Sequence, residues 1–369
     1  MIESDILCPS GRCSQGSAGA RYSPCVSSTP ARPARPRRRA FPRWLLITVL
    51  AASLVIVITA IGVVGWAITS GLQFLGAQAP GVGTRIVVPE ESKASKAATE
   101  GGLDSDAQAA ADYLAAQPTA YWLTPEIDPI GDAGPRILNL AAEARDQDAA
   151  LAVVVYGLPE RDCGSQSAGG LDDASYATWT AEIGQALASV KDVQKIVVLE
   201  PDSLAQAPDC DANIDQRMSA LHDAALRLVG VDTWVYLDGG HSNWRPASEM
   251  ASLIQRVGVT DKVRGFATNV SNYNPTTDEF AYAHEVSALL GGSHALIDTS
   301  RNGAGTSTSE WCNDPTALVG DPGGTYGDDV VDTNLWIKPP GESDGVCNGG
   351  PRAGSWWPEG SVQLTRNVL

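Results

Sequence analysis

The chain has 369 residues, 43% of them hydrophobic, which is enough apolar sequence for a sizeable folded core. Its formal net charge is -17, but residues 1–43 hold eight arginines, while the remainder holds 18 basic and 41 acidic residues. So acidic a region repels phosphate backbones, which excludes nucleic acid as an expected partner.

The amino-terminal part of the chain has two segments of opposite character. Residues 1–43 intersperse arginine with Pro, Ser and Gly and lack apolar periodicity, which predicts a disordered tail. Residues 44–68 contain no charged side chain and could cross a hydrocarbon core of about 30 Å, which predicts a transmembrane helix. Because the arginines precede this helix, the positive-inside bias puts the tail in the cytoplasm and the rest of the chain outside.

A cleaved signal peptide is the alternative interpretation of the apolar segment. The sequence Ala77-Gln78-Ala79 resembles a cleavage site, but the apolar run exceeds the usual length and Pro80 follows. We therefore expect a membrane-anchored protein with an extracytoplasmic domain, and a secreted protein as the alternative.

Beyond a predicted linker at residues 69–104, helical and strand-like apolar patterns alternate over residues 105–369. The predicted helices lie near residues 106–117, 134–148, 173–189, 213–229, 246–257 and 277–290. The predicted strands are Ala120–Leu123, Leu151–Tyr156, Ile196–Leu199, Trp234–Leu237, Gly265–Thr268, Ala295–Ile297 and Leu335–Ile337. This alternation predicts parallel strands with crossover helices in a closed or nearly closed barrel, with a doubly wound sheet as the alternative.

Polar residues directly follow five of the predicted strands, and parallel strands gather such side chains at one mouth. Asp202 is the candidate acid among them, because burial at the strand end and the neighbouring Glu200 and Asp162 would raise its pKa. A lone aspartate there would more often cap the next turn. The residues that follow the strands are Glu200 with Asp202, then Asp238, Asn269, Asp298 and Lys338.

The acidic part of the chain has four cysteines, Cys163, Cys210, Cys312 and Cys347. Their even number and wide separation favour disulfides over a zinc site, and four cysteines allow three pairings. With four histidines and no pair at helical spacing, the sequence predicts no catalytic metal and no other cofactor.

Two longer strings give a more specific signal. The string Val154–Gly170, and the string Val197–Leu204 that ends in Glu-Pro-Asp-Ser-Leu, resemble the two signatures of glycoside hydrolase family 6. That family contains endoglucanases and cellobiohydrolases that cleave β-1,4-glucans. The resemblance extends from about residue 105 to the carboxyl terminus and implies a distorted, incompletely closed (β/α) barrel of about seven parallel strands. Further matching strings are Tyr236–His241, Asn269–Asn274, Trp311–Asn313, Trp336–Pro339 and Gly341–Gly345.

The resemblance also implies roles for individual residues in an inverting mechanism. Asp202 matches the general acid, Asp162 the neighbour that keeps it protonated, and Tyr156 a tyrosine under the distorted sugar. Asp344 matches the carboxylate proposed as base, with a water relay as the alternative. Substrate-binding matches are Trp122, Trp244 and Trp311 as sugar-stacking platforms, for which a core position is the alternative, and Asp238, His241, Asn269, Lys338 and Glu342 as polar residues of the cleft.

The family's cysteine pattern implies the pairs Cys163–Cys210 and Cys312–Cys347, each tying down a short loop beside the cleft. Short loops imply an open groove and internal cutting. We therefore expect an endo-acting β-1,4-glucanase whose partner is a β-1,4-glucan polysaccharide or oligosaccharide. The alternatives are a cellobiohydrolase, or a membrane-tethered glycan-binding protein without turnover.

Overall fold

The computed structural model describes residues 47–48, 50–62, 77–210, 214–306 and 309–369. The chain falls into two compact units that divide between residues 63 and 64. The described part of the first unit is helical, and the second unit contains all the strands described below.

The predicted transmembrane helix at residues 44–68 is wrong. In the described ranges, no helix is both long enough and apolar enough to cross a membrane. The predicted membrane contact through this segment has no support in the described residues. The ends of that prediction, residues 44–46 and 63–68, and the predicted tail at 1–43 lie outside the described residues.

The second unit is built on one sheet of seven parallel strands that lie side by side in chain order. The central strands carry sequences such as LAVVV and KIVVL, and every residue of these two strands is buried. Such continuous apolar runs are typical of parallel strands that are covered on both faces. The strands are β1 (Tyr121–Leu123), β2 (Leu151–Val155), β3 (Lys195–Leu199), β4 (Thr233–Asp238), β5 (Gly265–Thr268), β6 (His294–Asp298) and β7 (Val331–Leu335).

Helices connect the successive strands through β6, and most begin and end within two residues of the predicted bounds. The helix predicted at residues 173–189 has these same bounds, and Asp172 caps its start by accepting a hydrogen bond from the Ser175 N–H at 3.0 Å. The helices are α1 (Lys93–Glu100), α2 (Ser105–Ala115), α3 (Ala133–Asp146), α4 (Asp173–Ser189), α5 (Ser203–Gln206), α6 (Ile214–Leu228), α7 (Ala247–Val257), α8 (Thr276–Leu289) and α9 (Pro358–Thr365).

The sheet curls into the expected barrel but does not close. Its edge strands β1 and β7 form no ladder with each other. Next to them, the Ala120 N–H donates to the Trp336 carbonyl at 2.9 Å, and the Trp122 indole N–H donates to the Ile337 carbonyl at 2.8 Å. One apolar cluster, which includes Val154 and Leu296, is separate from the cluster that packs between the sheet and its helices. The prediction of an incompletely closed barrel of seven parallel strands is confirmed.

Strand β7 begins at Val331, four residues before the predicted strand Leu335–Ile337, and overlaps that prediction only at Leu335. Its sequence VDTNL has three polar residues at buried positions, so hydropathy did not reveal it. Those polar groups are paired: Asp332 accepts from Arg264 at 2.7 and 2.8 Å, and the Asn334 amide donates to Thr299 Oγ1 at 2.8 Å. A buried strand can carry polar residues when their hydrogen bonds are satisfied.

Part of the segment expected to be a linker packs against the barrel. Ile86 forms a parallel bridge with Ala150, and Val87 is fully buried. Helix α1 lies within the same segment, so residues 86–100 contribute structure to the second unit.

Helix α4 approaches α6 so closely that only glycine fits at Gly184, where a Cβ atom would lie 2.1 Å from the Arg227 carbonyl oxygen. Alanine has the higher helix propensity by about 0.5–1 kcal/mol, but the overlap forces the two helices apart. We expect Gly184→Ala to lower the free energy of unfolding by about 1–3 kcal/mol in urea denaturation. The exposed Gln185→Ala on the same helix is the control and should change it little; equal behaviour of the two variants would contradict the close approach.

Candidate active site

The carboxyl ends of the strands surround one cleft of about 860 Å³. Residues from the loops after six of the seven strands reach it, as the alternating strand and helix pattern predicts. Nine of the residues predicted for the site line this cleft: Trp122, Tyr156, Asp162, Asp202, His241, Trp244, Trp311, Lys338 and Asp344.

Asp202 enters the cleft from a strained turn. It follows β3 by three residues, and both Glu200 (φ 52°) and Asp202 (φ 68°) adopt the left-handed conformation that side chains usually avoid. Such strain persists only where the surroundings hold it. Here the Asp202 N–H donates to the Asp238 carboxylate at 2.6 Å, which fixes the turn from the neighbouring strand.

The surroundings of Asp202 make it a weak acid. Burial has the largest effect and the negative charge of Asp162 adds to it, raising the pKa of Asp202 to about 7. Asp344 acts in the same direction and Lys338 opposes them. A carboxyl group of this kind carries a proton near neutral pH and can donate it.

Glu200 has a different role from the one expected. It does not act on Asp202 but accepts hydrogen bonds from the Gly157 N–H at 2.9 Å, the Leu158 N–H at 3.1 Å and the Tyr176 hydroxyl at 3.0 Å. Glu200 therefore holds the start of the loop that carries Asp162. Burial raises the pKa of Glu200 to about 7.

Asp162 is fixed by two donors. Its carboxylate accepts from the Ser167 N–H at 2.6 Å and from the Gln206 amide at 2.8 Å. The adjacent Cys163 is joined to Cys210 with a Cα–Cα distance of 5.7 Å, one of the two expected disulfides. The loop thus keeps the Asp162 charge beside Asp202.

Asp344 lies in the opposite electrostatic environment. It accepts hydrogen bonds from Arg301 Nη1 at 2.8 and 2.9 Å, from the Tyr273 hydroxyl at 2.7 Å and from the Asn313 N–H at 2.9 Å, and Lys338 Nζ lies 3.6 Å away. Burial acts to raise the pKa of Asp344, but the charges of Arg301 and Lys338 outweigh it and hold that pKa below its ordinary value. Asp344 is therefore a carboxylate at neutral pH.

The second disulfide holds the loops that position Asp344. Cys312 is joined to Cys347 with a Cα–Cα distance of 6.2 Å, which is the other expected pair. Asn313, next to the first cysteine, accepts from the Asp344 N–H at 2.8 Å and donates to the Gly345 carbonyl at 2.8 Å. The disulfide therefore ties the two loops together directly beside Asp344.

The aromatic residues surround the carboxylates. Trp122 and Tyr156 meet edge to face with ring centroids 5.2 Å apart, and Lys338 Nζ lies 5.5 Å from the Trp122 centroid. Trp311 is 51% exposed, so its ring is free to meet a ligand. Trp244 packs partly on the apolar core beside His241, and burial lowers the pKa of His241 to about 4, which leaves its imidazole neutral at pH 7.

Three predicted binding residues do not line this cleft. Asp238 is buried beneath it and binds the Asp202 backbone, and its pKa is raised by burial and by Asp202. Asn269 is fully buried and donates to the Asp298 carbonyl at 2.9 Å. Glu342 lines a neighbouring cavity and forms an ion pair with Lys93 at 2.8 Å.

Sequence analysis missed the residues that set the charge of Asp344. Arg301 lies three residues after β6 and 43 residues before Asp344, in a stretch without a family string. Tyr273 and Asn313 lie in family strings, but the resemblance implies no role for them. Gln206, which donates to Asp162 at the other carboxylate, lies just outside the second signature string. The usable signal was the position of Arg301 in a strand-end loop, where a cation faces the converging carboxylates.

Comparisons with known proteins agree with this geometry. The family model described as glycosyl hydrolases family 6 matches residues 83–368. Endoglucanase A of Cellulomonas fimi is 40% identical over 256 residues, 69% of this chain and 55% of that protein. Endoglucanase A of Thermobispora bispora is 35% identical over 294 residues, 76% of this chain and 62% of that protein. This chain therefore spans less than two thirds of the length of these two relatives.

A solved structure is similar over nearly its whole length. It is an endoglucanase from Mycobacterium tuberculosis in complex with methyl-cellobiosyl-4-deoxy-4-thio-β-D-cellobioside. It is 35% identical, the match covers 78% of this chain and 98% of that one, and the TM-score is 0.70. The similarity therefore includes both the barrel and the loops at its mouth.

The Arg301–Asp344 pair yields a pH-dependent stability prediction. Arg301→Met leaves the buried Asp344 carboxylate with Lys338, at 3.6 Å, as its remaining counter-charge, so we expect a loss of about 3–5 kcal/mol in the free energy of unfolding at pH 7. Because the native pKa of Asp344 is held below its unfolded value, its pairing stabilises the fold above that unfolded value and is lost as pH falls. The loss should therefore be smaller at pH 4, where the variant's carboxyl group can take up a proton.

The matched control is the double variant Arg301→Met with Asp344→Asn, which removes the charge and should recover part of the stability at pH 7. Urea denaturation at both pH values checks it. Equal losses at pH 7 and pH 4, or no recovery in the double variant, would contradict the assigned ion pair.

Proposed function

Because the chain belongs to glycosyl hydrolase family 6, we propose that it is an inverting glycoside hydrolase that cleaves β-1,4-glucosidic bonds of cellulose-like glucans. The observation that carries this proposal is a pair of carboxyl groups on one cleft, the half-buried Asp202 and the buried Asp344, with opposite pKa shifts, raised at Asp202 and lowered at Asp344. Glycosidic hydrolysis with inversion requires one protonated and one ionised carboxyl group.

In the proposed mechanism Asp202 is the general acid. Its proton passes to the glycosidic oxygen as the bond to the anomeric carbon breaks, so the leaving sugar departs as an alcohol. Asp162 keeps the proton on Asp202 in the free enzyme, because its fixed negative charge disfavours a second carboxylate nearby.

A water molecule attacks the anomeric carbon from the opposite face, and its proton moves toward Asp344. Arg301 and Tyr273 already occupy the Asp344 oxygens at 2.7–2.9 Å, which favours transfer through a second water over direct contact with the nucleophile. Asp344 contributes mainly as a fixed negative charge that stabilises the cationic sugar in the transition state.

The aromatic and cationic groups of the cleft bind the sugars. Trp122 and Trp311 offer indole faces for the apolar sides of glucose rings, and Tyr156 contacts Trp122 and lines the same cleft as the carboxylates, in the proposed role under the reacting sugar. Lys338 donates to substrate hydroxyls, and burial lowers the pKa of Lys338. Asp238 and Asn269 support the site from below, and this assignment replaces their expected direct contact with substrate.

We propose an endo mode of cutting. The two disulfide-tied loops beside the cleft are short. Among the described residues a hydrogen bond joins them, from the Val346 N–H to Gln166 Oε1 at 3.2 Å, with Gly345 packed beside the Gln166 side chain. Val346 is 71% exposed and Gln166 is also exposed. A single exposed hydrogen bond contributes only about 0.5–1.5 kcal/mol, so these loops can part to admit the middle of a polymer. A cellobiohydrolase remains the alternative mode.

The two disulfides also support export from the cytoplasm, because such bonds persist in oxidising compartments. We propose that the second unit acts as a secreted enzyme.

The pH profile tests the acid. Since the pKa of Asp202 is about 7, kcat/KM should fall as pH rises through that value and the proton is lost. Asp162→Asn removes a charge that raises this pKa, so the falling limb should move to lower pH by about half a unit or more. The exposed Asp146→Asn is the matched control and should leave the limb in place.

Asp202→Asn completes the test, because it should abolish turnover of cello-oligosaccharides while their binding persists. Retained turnover in this variant, or a limb that Asp162→Asn moves to higher pH, would rule out the proposed acid.

The stereochemistry and mode of cutting form a separate prediction. Proton NMR of fresh product should show the α-anomer from a β-linked substrate. Carboxymethylcellulose should lose viscosity early, before reducing ends accumulate. A β-anomer would contradict inversion, and release of cellobiose without viscosity loss would favour the cellobiohydrolase.

A further inference from the structure

A second cavity of about 590 Å³ adjoins the catalytic cleft on the side where the barrel is open. Trp122, Tyr156, Ser167 and Lys338 line both spaces, so the two adjoin at the end of β1. We call the second cavity the β1 arm. A polymer bound at Asp202 that extends past Trp122 runs into this arm.

Each of the three acidic side chains that line the β1 arm forms an ion pair, and the arginine that pairs with Glu91 also binds Asp128 at 2.9 Å. Glu91 pairs with Arg136 at 2.7 Å, Glu126 with Arg161 at 2.9 Å, and Glu342 with Lys93 at 2.8 Å. Arg161 is further held by the Ser167 and Tyr156 carbonyls at 2.9 Å each, so it belongs to the wall and is not free to bind.

Two cations in the arm remain uncompensated. Lys96 on α1 and Arg352 in the loop before α9 both line the arm and are exposed. Neither makes an ion pair with another residue in the part of the chain that the structure describes. The arm therefore presents surplus positive charge on a chain whose net charge is -17.

The catalytic cleft has the opposite balance around its reacting groups. Four acidic residues, Asp162, Asp202, Glu310 and Asp344, line it. Even with the proton on Asp202, three carboxylates face two cations, Lys338 and the Arg301 partner of Asp344. An anionic group on the substrate is repelled there and attracted in the arm. This difference in charge means that the β1 arm favours anionic substituents on the sugars, whereas the catalytic cleft disfavours them.

We propose that the β1 arm selects β-1,4-glucan chains that carry anionic substituents, such as carboxylate groups, on the sugars beyond Trp122. This inference rests on the proposed function of the cleft and adds a substrate class to it. Arg352 supplies a planar donor set that matches a carboxylate or phosphate, and Lys96 supplies a mobile point charge. The contribution is electrostatic, so salt should weaken it.

The test compares carboxymethylcellulose with hydroxyethylcellulose of matched substitution and length. These polymers share the backbone and differ in charge. In the double variant Lys96→Gln with Arg352→Gln, we expect the ratio of kcat/KM for the anionic over the neutral polymer to fall roughly three- to tenfold at low salt. The fold-change in this ratio between the wild type and the variant should approach one at about 1 M salt, because salt screens the charges.

The matched control is Lys191→Gln with Lys262→Gln. It makes the same charge change at exposed positions just before the amino-terminal ends of β3 and β5, away from the carboxyl ends that surround the cleft. It should leave the ratio unchanged. An unchanged ratio in the arm variant, an equal loss on both polymers, or an equal fall of the ratio in the control would overturn the proposal. If the wild-type chain cleaves neither polymer, the proposed function itself fails, which is a different outcome from cleavage of both without a change of ratio.

Discussion

Buried carboxylates at the ends of the strands hold the loops of the barrel mouth in place. Glu200 after β3 accepts the backbone N–H groups of Gly157 and Leu158 from the loop after β2. Asp238 at the end of β4 accepts the Asp202 N–H from the loop after β3. Asp298 at the end of β6 accepts the N–H groups of Ser271 and Lys338 from the loops on either side, at 3.1 and 2.9 Å. Each loop is thus fixed by a neighbouring strand, which is why residues in left-handed conformations persist there.

This arrangement separates two kinds of carboxyl group. Glu200, Asp238 and Asp298 accept backbone N–H groups and hold loops in place, whereas Asp202 is held through its own backbone and offers its side chain to the cleft. Desolvation acts to raise the pKa of both Asp202, which is half-buried, and Asp344, which is buried, and their charged neighbours decide whether that rise is kept or reversed. Asp162 leaves Asp202 a weak acid, and Arg301 with Lys338 leaves Asp344 ionised. The protonation state of each catalytic carboxyl group therefore depends on the charged residues beside it, Asp162 at Asp202 and Arg301 with Lys338 at Asp344.

The sequence reveals features that are local and apolar, and it conceals those that depend on distant pairing. Strands β2 and β3 are continuous apolar runs and were predicted closely, but β7 hides three polar residues that are satisfied only by groups such as Arg264, far away in the chain. The same reason explains Arg301, whose partner is 43 residues away. Glu200 is two residues from Asp202 in the chain, so the sequence predicts that it raises the pKa of Asp202. In the structure its carboxyl group binds the loop after β2 instead. The apolar run at residues 44–68 also misled: apolar composition alone does not specify a helix of spanning length, and the described residues contain none.

The opening between β7 and β1 links the fold to its substrate. A fully closed barrel would place a ladder of backbone hydrogen bonds there, and the rim above it would separate the mouth from the outer surface. In this chain, β1 has only three residues, and the contacts across the opening are the Ala120 N–H to the Trp336 carbonyl and the Trp122 indole to the Ile337 carbonyl. Trp122 therefore serves the fold and the site at once: its N–H joins the two edges of the sheet, and its ring forms a wall common to the catalytic cleft and the β1 arm. Trp122 crosses the gap with a side-chain hydrogen bond and not with a strand ladder, and the catalytic cleft and the β1 arm meet at this residue.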